Sequence, residues 1–355
     1  MPSRTGPRIF IKGNEAVAHG ALAAKCRCFF GYPITPQNEI PEMMSSAICE
    51  AGGEFVQAES EVAAANMLLG ATAAGIRAMT SSSSPGISLK QEAISYMAGS
   101  ELPGVIVNMS RGGPGLGDIG PAQGDYFQSV KGGGHGDYRT LVLAPATCQE
   151  AYDLTIEAFD LAFKYKNPVL VLGDAIIGQM KEPVTTWTPE HIAEGEAADW
   201  GLSGAKGRPK RLVKSLFLED GALAGHNLML KDKYERMRAE VRFETFETED
   251  AELVVVAFGS IGRIAKSAVR KLRKAGRKVG LFRPITLYPF PDEALRALAA
   301  GGRRFLTVEH NLGQMVEDVR LALAPHTGSG FFSILPGNLP TPDDFEAPIL
   351  GALEG

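Results

Sequence analysis

Cysteine is scarce in this chain, four among 355 residues, and no two stand in a Cys-x-x-Cys spacing. Zinc ribbons, redox dithiols and thiolate-held clusters therefore have no ligand pattern to build on. Cys26-x-Cys28 places two thiols on one face of a strand, where burial as small apolar groups accounts for them, and no metal site is expected in this chain. No His-Glu-x-x-His, Gly-x-Ser-x-Gly or Gly-x-x-x-x-Gly-Lys-Ser/Thr occurs, which removes zincin, α/β-hydrolase and P-loop readings. No apolar run approaches the ~18 residues of a membrane span, and the N-terminus has no signal-peptide core, so a cytoplasmic chain is expected. An excess of charge is missing too. The 36 basic and 41 acidic residues are dispersed, apart from Lys206-Gly207-Arg208-Pro209-Lys210-Arg211, and nucleic acid is excluded as the expected partner.

What is present is ample apolar content, 45%, in a chain longer than one core usually needs. From residue 8 to about 173, short β-type runs alternate with amphipathic stretches: helices are expected at 14–24, 37–51, 61–74, 87–98 and 149–164, with strands between them. That is the pattern of an α/β doubly wound sheet. Between 178 and 248 periodicity fades into Pro, Gly and charge, with one helical piece at 231–242. It then resumes with strands near 253–258, 278–282, 305–308 and 331–334, and helices at 261–275, 292–300 and 314–324. The expected organisation is a first α/β domain over 1–185, a linker or wrapping arm over 186–248, and a smaller α/β domain over 249–355.

Two stretches stand out. Phe29-Phe30-Gly31-Tyr32-Pro33-Ile34-Thr35-Pro36 ends an apolar run in a threonine clamped by prolines, and Gln57-Ala58-Glu59-Ser60-Glu61 opens an alanine-rich helix. Thr35 before Pro36 reads as a helix start, with Thr35 the N-cap and Pro36 the first helical residue. The carboxyl end of a strand beside a helix N-terminus is also where open α/β sheets bind ligands, and both readings hold together. Glu61 suits the first turn of a helix, yet Val62-Ala63-Ala64-Ala65 implies close packing around a carboxylate.

Ser81-Ser82-Ser83-Ser84-Pro85-Gly86 reads as a polar turn with Ser84 capping the next helix, in preference to a phosphate-cradling nest. Arg111, at a strand end before Gly112-Gly113-Pro114, suits a bidentate grip on a carboxylate; a surface arginine beside a flexible loop is the alternative. The literal Gly115-x-Gly117-x-x-Gly120 is not a dinucleotide fingerprint, because Pro121 follows and no helix opens there. His135, in the Gly132 to Tyr138 loop, is either a solvated histidine or a proton-transfer group. Asn311, in Glu309-His310-Asn311-Leu312, sits at a ligand-prone corner that helix capping explains equally well. Asp125 is a further minor candidate.

Taken together, Gly31 to Pro36, Gln57 to Glu61, Ser81 to Gly86 and Arg111 to Pro114 resemble the α subunit of thiamine-diphosphate-dependent 2-oxoacid:ferredoxin oxidoreductases. The resemblance continues through Phe282-Arg283-Pro284-Ile285-Thr286-Leu287-Tyr288-Pro289-Phe290 and Glu309 to Arg320, and so covers nearly the whole chain. It is nearest to the 2-oxoisovalerate (branched-chain, VorB-like) type through Gly115-Leu116-Gly117-Asp118-Ile119 and the Gly132 to Tyr138 loop. The family implies a pyrimidine-type thiamine-diphosphate-binding domain followed by a transketolase C-terminal-like domain.

It also implies a division of labour. A β subunit with a Gly-Asp-Gly motif would hold the diphosphate and Mg²⁺, a ferredoxin-like subunit the 4Fe-4S clusters, and a γ subunit would complete a hetero-oligomer that uses CoA as co-substrate and ferredoxin as acceptor. Gly173-Asp174-Ala175 is this chain's nearest approach to Gly-Asp-Gly. By resemblance, Glu61 would hydrogen-bond N1′ of the aminopyrimidine and promote loss of the C2 proton. Pro33, Ile34 and Ser83 would contact the cofactor, Thr35 the substrate, and Arg111 the substrate carboxylate. Where 2-oxoglutarate-type members carry Pro-Ser-Thr-Gly-Leu-Pro-Thr, this chain has Pro114-Gly115-Leu116-Gly117-Asp118-Ile119-Gly120. Two hydroxyls are lost, which points to a branched-chain or other apolar 2-oxoacid. The competing readings are a 2-oxoglutarate- or aromatic-oxoacid-type member, a lipoyl-linked oxoacid dehydrogenase β subunit and a non-catalytic scaffold.

Overall fold

Runs such as Leu253-Val254-Val255-Val256 are wholly buried, as parallel strands covered on both faces must be. The computed structural model describes residues 6–189, 197 and 199–354. The first part of the chain forms β1 (Arg8–Lys12), α1 (Gly13–Ala23), β2 (Cys28–Gly31), α2 (Glu39–Glu50), β3 (Glu54–Gln57), α3 (Glu61–Ala73), β4 (Ala78–Ser82) and α4 (Ser84–Gly99). It continues with β5 (Val105–Ser110), α5 (Tyr126–Val130), β6 (Leu141–Leu143), α6 (Cys148–Tyr165), β7 (Val169–Asp174), α7 (Ala175–Gln179) and β8 (Lys181–Thr185). Then come α8 (Ala222–Met237), β9 (Phe243–Phe246), β10 (Leu253–Val256), α9 (Gly259–Lys274), β11 (Val279–Pro284) and β12 (Thr286–Tyr288). The remainder is α10 (Asp292–Ala299), β13 (Arg304–Glu309), α11 (Met315–Leu323), β14 (Gly330–Ser333) and α12 (Glu346–Glu354).

A seven-stranded sheet has the order β12-β6-β7-β5-β4-β2-β3, all parallel except for the antiparallel edge strand β12. The chain steps outward from β2 to β3 and then returns to the other side of β2 as β4. A topological switch therefore lies between β2 and β4, the place where an open α/β sheet leaves a crevice at its carboxyl edge. A five-stranded sheet, β14-β13-β10-β11-β9, is parallel apart from β9, and β1 pairs with β8 in a small antiparallel ribbon.

One apolar cluster joins the two large sheets, running from Leu68, Ile94 and Met97 through Tyr126 to Phe258, Phe282 and Met315. Polar ties cross the same seam. Arg283, buried, forms two hydrogen bonds to Glu150 (Nη1–Oε2 3.0 Å, Nη2–Oε1 2.7 Å) and one from Nε to Glu244 at 2.8 Å.

Several local expectations are corrected. Helix 37–51 begins later, at Glu39, because the Gln37 N–H donates to the Ile34 carbonyl (3.2 Å) and closes a turn. Thr35 thus lies outside the helix and does not cap it; Asn38 occupies the cap position without a side-chain bond. Helix 87–98 begins earlier, at Ser84, and Ser83 rather than Ser84 stands at its cap. The helical piece expected at 231–242 is α8, from Ala222 to Met237, and the chain beyond it becomes strand β9, paired with β11. Part of the expected arm, 190–196 and 198, lies outside the described residues.

Asp174 caps α7, accepting the Ile177 N–H at 3.0 Å and the Ser260 hydroxyl. Burial pushes its carboxyl up to about 6, against those hydrogen bonds. A folded-state value above the unfolded one means that folding retains a proton that the unfolded chain releases, so this group's contribution to stability falls as pH rises from about 4 to 6. Asp174→Asn keeps a cap acceptor and removes the titration. Its unfolding free energy relative to wild type should gain roughly 2 kcal/mol between pH 4 and pH 7 in denaturant titrations. A difference independent of pH would contradict the raised value.

Candidate active site

Four strand exits on one edge of the seven-stranded sheet supply the residues singled out above. β2 leads to Thr35, β3 to Glu61, β4 to the serines and β5 to Arg111. Glu61 is the first residue of α3, where the helix dipole favours a carboxylate, and it is only 7% exposed. The preceding residue does the capping: the Ser60 hydroxyl accepts the Ala63 N–H at 3.2 Å.

The Glu61 side chain lies against the first turn of α4. A Cβ on Gly86 would stand 2.8 Å from its Oε1 and 2.1 Å from Ser82 Oγ, so only glycine admits the carboxylate there. Around this contact, buried polar atoms have no hydrogen-bond partner among the described residues: Ser82 Oγ, Ser83 Oγ, Gln37 Nε2, Ser110 Oγ and Arg111 Nε. Unpaired buried polar groups are costly. Their concentration at one sheet edge, beside a buried carboxylate, fits a polar ligand of the aminopyrimidine kind.

Arg111, 8% exposed, holds two carbonyls: Nη1 donates to Thr35 O at 2.9 Å and Nη2 to Leu116 O at 3.0 Å. It thereby clamps the exit of β2 to the glycine-rich loop. The loop folds back on itself, with Gly112 N–H to Gly120 O at 3.0 Å and Asp118 N–H to Gly112 O at 2.8 Å. Gly117 has φ +60°, and a Cβ there would fall 1.7 Å from Gly112 O, which requires glycine for close approach rather than for a dinucleotide.

Ser84 bonds in place of capping. Its Oγ accepts the Arg111 N–H at 3.0 Å and donates to Asp125 Oδ2 at 2.6 Å, and Asn108 Nδ2 also donates to Asp125, at 2.8 Å. Asp125 is thus the anchor that ties α4, β5 and the loop together. The first turn of α4 touches Glu61 through Gly86 and Arg111 through Ser84.

The loop borders two cavities. One, of about 530 Å³, is lined by Ser84, Arg111, Pro114, Asp125, Asn311 and Gln314. The other, of about 660 Å³, is lined by Thr35, Glu39, Ile119, Ile176, Met180 and Leu339. Within the second, Glu39 accepts from Asn14 Nδ2 (2.6 Å), Gln179 Nε2 (2.9 Å) and Lys12 Nζ (2.6 Å). Burial pushes the Glu39 carboxyl up, but these bonds outweigh it and hold it below the ordinary range.

The remaining candidates fall as follows. Pro33 is exposed and Ile34 half-buried beside Thr35, while Ser83 is buried with its hydroxyl unpartnered among the described residues. Asn311 donates to Gln123 O and to Glu309 Oε2, both at 2.9 Å, and reaches the Arg111 cavity. Helix capping there belongs to Glu309, which accepts the Met315 and Val316 N–H groups at 2.8 and 2.9 Å. His135 is exposed and lines neither cavity, so the structure does not bring it to the others.

Two residues escaped the motif reading, Glu39 and Lys90. Lys90 is fully buried, with Nζ 2.8 Å from Thr80 Oγ1. A signal for it existed: Ile87, Lys90, Ile94 and Met97 fall on one helical stripe, so this lysine sits at an apolar register.

Comparison with known proteins agrees with this arrangement. Residues 19–245 match the family described as pyruvate flavodoxin/ferredoxin oxidoreductase, thiamine diP-binding, and residues 251–345 match pyruvate:ferredoxin oxidoreductase core domain II. The ketoisovalerate oxidoreductase subunit VorB of Methanothermobacter thermautotrophicus is 55% identical over 313 residues, covering 88% of this chain and 89% of the relative. The 2-oxoglutarate synthase subunit KorA of the same organism is 38% identical over 341 residues, covering 89% and 91%.

Among solved structures, the 2-oxoglutarate:ferredoxin oxidoreductase of Magnetococcus marinus, with 2-oxoglutarate, coenzyme A and succinyl-CoA bound, superposes with a TM-score of 0.88 at 25% identity. The match covers 98% of this chain but 65% of that one, so this chain spans under two thirds of its length. A split-gene transketolase, an inactive β4 tetramer, shares the fold at a TM-score of 0.59 and 15% identity. Among the described residues no helix is long and apolar enough to cross a membrane. The chain belongs to the 2-oxoacid:ferredoxin oxidoreductase family, as a VorB-like subunit.

Proposed function

We propose that this chain supplies the aminopyrimidine half of a thiamine diphosphate site in a CoA-acylating 2-oxoacid:ferredoxin oxidoreductase, and that the oxoacid has an apolar, branched side chain. The observation that carries the substrate class is the cavity beside Thr35. Ile119, Ile176, Met180 and Leu339 line it, and the carboxylate in its wall, Glu39, is committed to Lys12, Asn14 and Gln179. A second substrate carboxylate would find no lysine or arginine among the described lining residues to receive it, whereas a branched alkyl group would bury its surface. The name of the VorB relative, ketoisovalerate oxidoreductase, supports the same choice.

Bound thiamine diphosphate supplies the nucleophilic carbon and the electron sink for decarboxylation. Glu61 holds the proton at N1′ of the pyrimidine from its buried place on α3. Ser82 and Ser83 offer hydroxyls to the same ring from the end of β4. Thr35 presents its hydroxyl to the oxoacid. Arg111 fixes the Thr35 backbone and the loop wall, and turns Nε, its unbonded donor, toward the substrate carboxylate. The diphosphate and Mg²⁺ are assigned to a partner bearing Gly-Asp-Gly, and the 4Fe-4S clusters to a ferredoxin-like partner, with a γ subunit completing a cytoplasmic complex. We assign 1–185 and 249–355 as its two α/β domains, joined by the 186–248 arm, whose final strand β9 completes the second sheet beside β11.

The test is a panel of 2-oxoacids offered to the purified complex with CoA and ferredoxin. 2-Oxoisovalerate should exceed 2-oxoglutarate in kcat/KM by about a hundredfold. A preference for 2-oxoglutarate would overturn the substrate reading. Glu39→Gln should narrow that ratio about tenfold, chiefly through a lower KM for 2-oxoglutarate; an unchanged ratio would remove Glu39 from specificity.

A further inference from the structure

Lys90 is a cation without an evident structural need. It is fully buried on α4, between Ile87 and Ile94, and among the described residues its hydrogen-bond partner is the Thr80 hydroxyl at 2.8 Å. That hydroxyl is itself committed, donating to Phe30 O at 2.6 Å, so the ammonium is held at a fixed point under the carboxyl end of β2. Buried charges ordinarily come with a counter-charge. The elements around α4 narrow the choice. α3 carries one ionisable residue, Glu61, and β4 and β5 carry none. Burial lowers the Lys90 ammonium to about 8, and the Glu61 charge acts in the opposite sense. Helix geometry agrees, since Gly86, against which Glu61 packs, lies four residues before Lys90 on the same face.

We propose that Lys90 is a positioning residue for Glu61: its ammonium, fixed by Thr80 beneath the α3–α4 contact, is the counter-charge that holds the Glu61 carboxylate in place for the pyrimidine. The inference rests on Glu61 being the pyrimidine's partner. Removing one member of a buried pair of opposite charges leaves the other uncompensated, so without Lys90 the carboxylate would lose the partner that fixes it. Thr80 contributes by anchoring the ammonium below the site instead of letting it approach the ligand.

The experiment uses the assembled complex loaded with thiamine diphosphate and Mg²⁺. Exchange of the cofactor's C2 proton is followed by quenched transfer into deuterium oxide, with NMR of the released cofactor, across pH. Lys90→Met should slow exchange about tenfold at neutral pH. Lys90→Arg, which keeps the charge, should stay near the wild-type profile. A Lys90→Met profile that coincides with wild type overturns the proposal, as do equal losses in the Met and Arg variants, because a merely structural lysine would show no dependence on charge. If the Met variant does not assemble, Lys90→Gln is compared with Lys90→Arg under the same criterion. Wild-type exchange no faster than that of free cofactor would instead overturn the reading of Glu61, and this proposal with it.

Discussion

Glu61→Gln is expected to lower oxoacid-dependent ferredoxin reduction by about a thousandfold, within the range for loss of a positioned proton-transfer group, while the complex still assembles. The substitution is isosteric. The α3 cap comes from Ser60, not from Glu61, and Gly86 leaves space for an amide as it does for a carboxylate. What changes is chemical: a neutral amide does not favour a proton on N1′ as a carboxylate does. Acceptor reduction with 2-oxoisovalerate measures the loss, and gel filtration with the partner subunits measures assembly. Activity within tenfold of wild type would remove Glu61 from the reaction.

Arg111→Lys is the second large effect, expected at about a hundredfold in kcat/KM. The guanidinium spans two carbonyls, Thr35 O and Leu116 O, and has a third donor in Nε. An ammonium is a point charge that cannot hold both carbonyls and keep a donor for the substrate. Thr35 should therefore lose its fixed place, and the loop over 112–120 should open. Steady-state kinetics will show a fall in kcat together with a rise in KM, and limited proteolysis will show faster cleavage in the loop. Wild-type kinetics with an unchanged loop would show that the clamp is dispensable.

Much of the edge on which the site stands was legible in the sequence because its signals are local. A carboxylate opening an alanine-rich helix is visible as Glu61-Val62-Ala63-Ala64-Ala65, and an arginine at a strand end before paired glycines as Arg111-Gly112-Gly113. What failed was decided by partners far away in the chain. Thr35 looked like a cap, but its carbonyl is taken by Arg111, 76 residues on, and a turn delays the helix to Glu39. Ser84 looked like another cap, but Arg111 and Asp125 claim its hydroxyl. β12 lies among second-sheet strands in sequence yet pairs with β6 of the first sheet, a long-range choice that no periodicity encodes. Lys90 shows the remaining limit. Its apolar register is a signal of burial that the motif reading passed over, and the reason for burying a charge emerges only when α4 is laid beside α3.

The division between subunits gives the account its sharpest consequence. Glu61, Ser82 and Ser83 stand together at one sheet edge, and nothing in this chain's Gly173-Asp174-Ala175 resembles a diphosphate grip, since Asp174 is spent on capping α7 and bonding Ser260. The chain alone should therefore bind thiamine diphosphate weakly, and the partner subunit should complete the site. The most direct measurement is a structure of the assembled complex with thiamine diphosphate bound. The account predicts a Glu61 carboxylate oxygen about 3 Å from pyrimidine N1′, with the diphosphate held by the partner. A pyrimidine ring placed away from Glu61, or a diphosphate held by this chain, would contradict it.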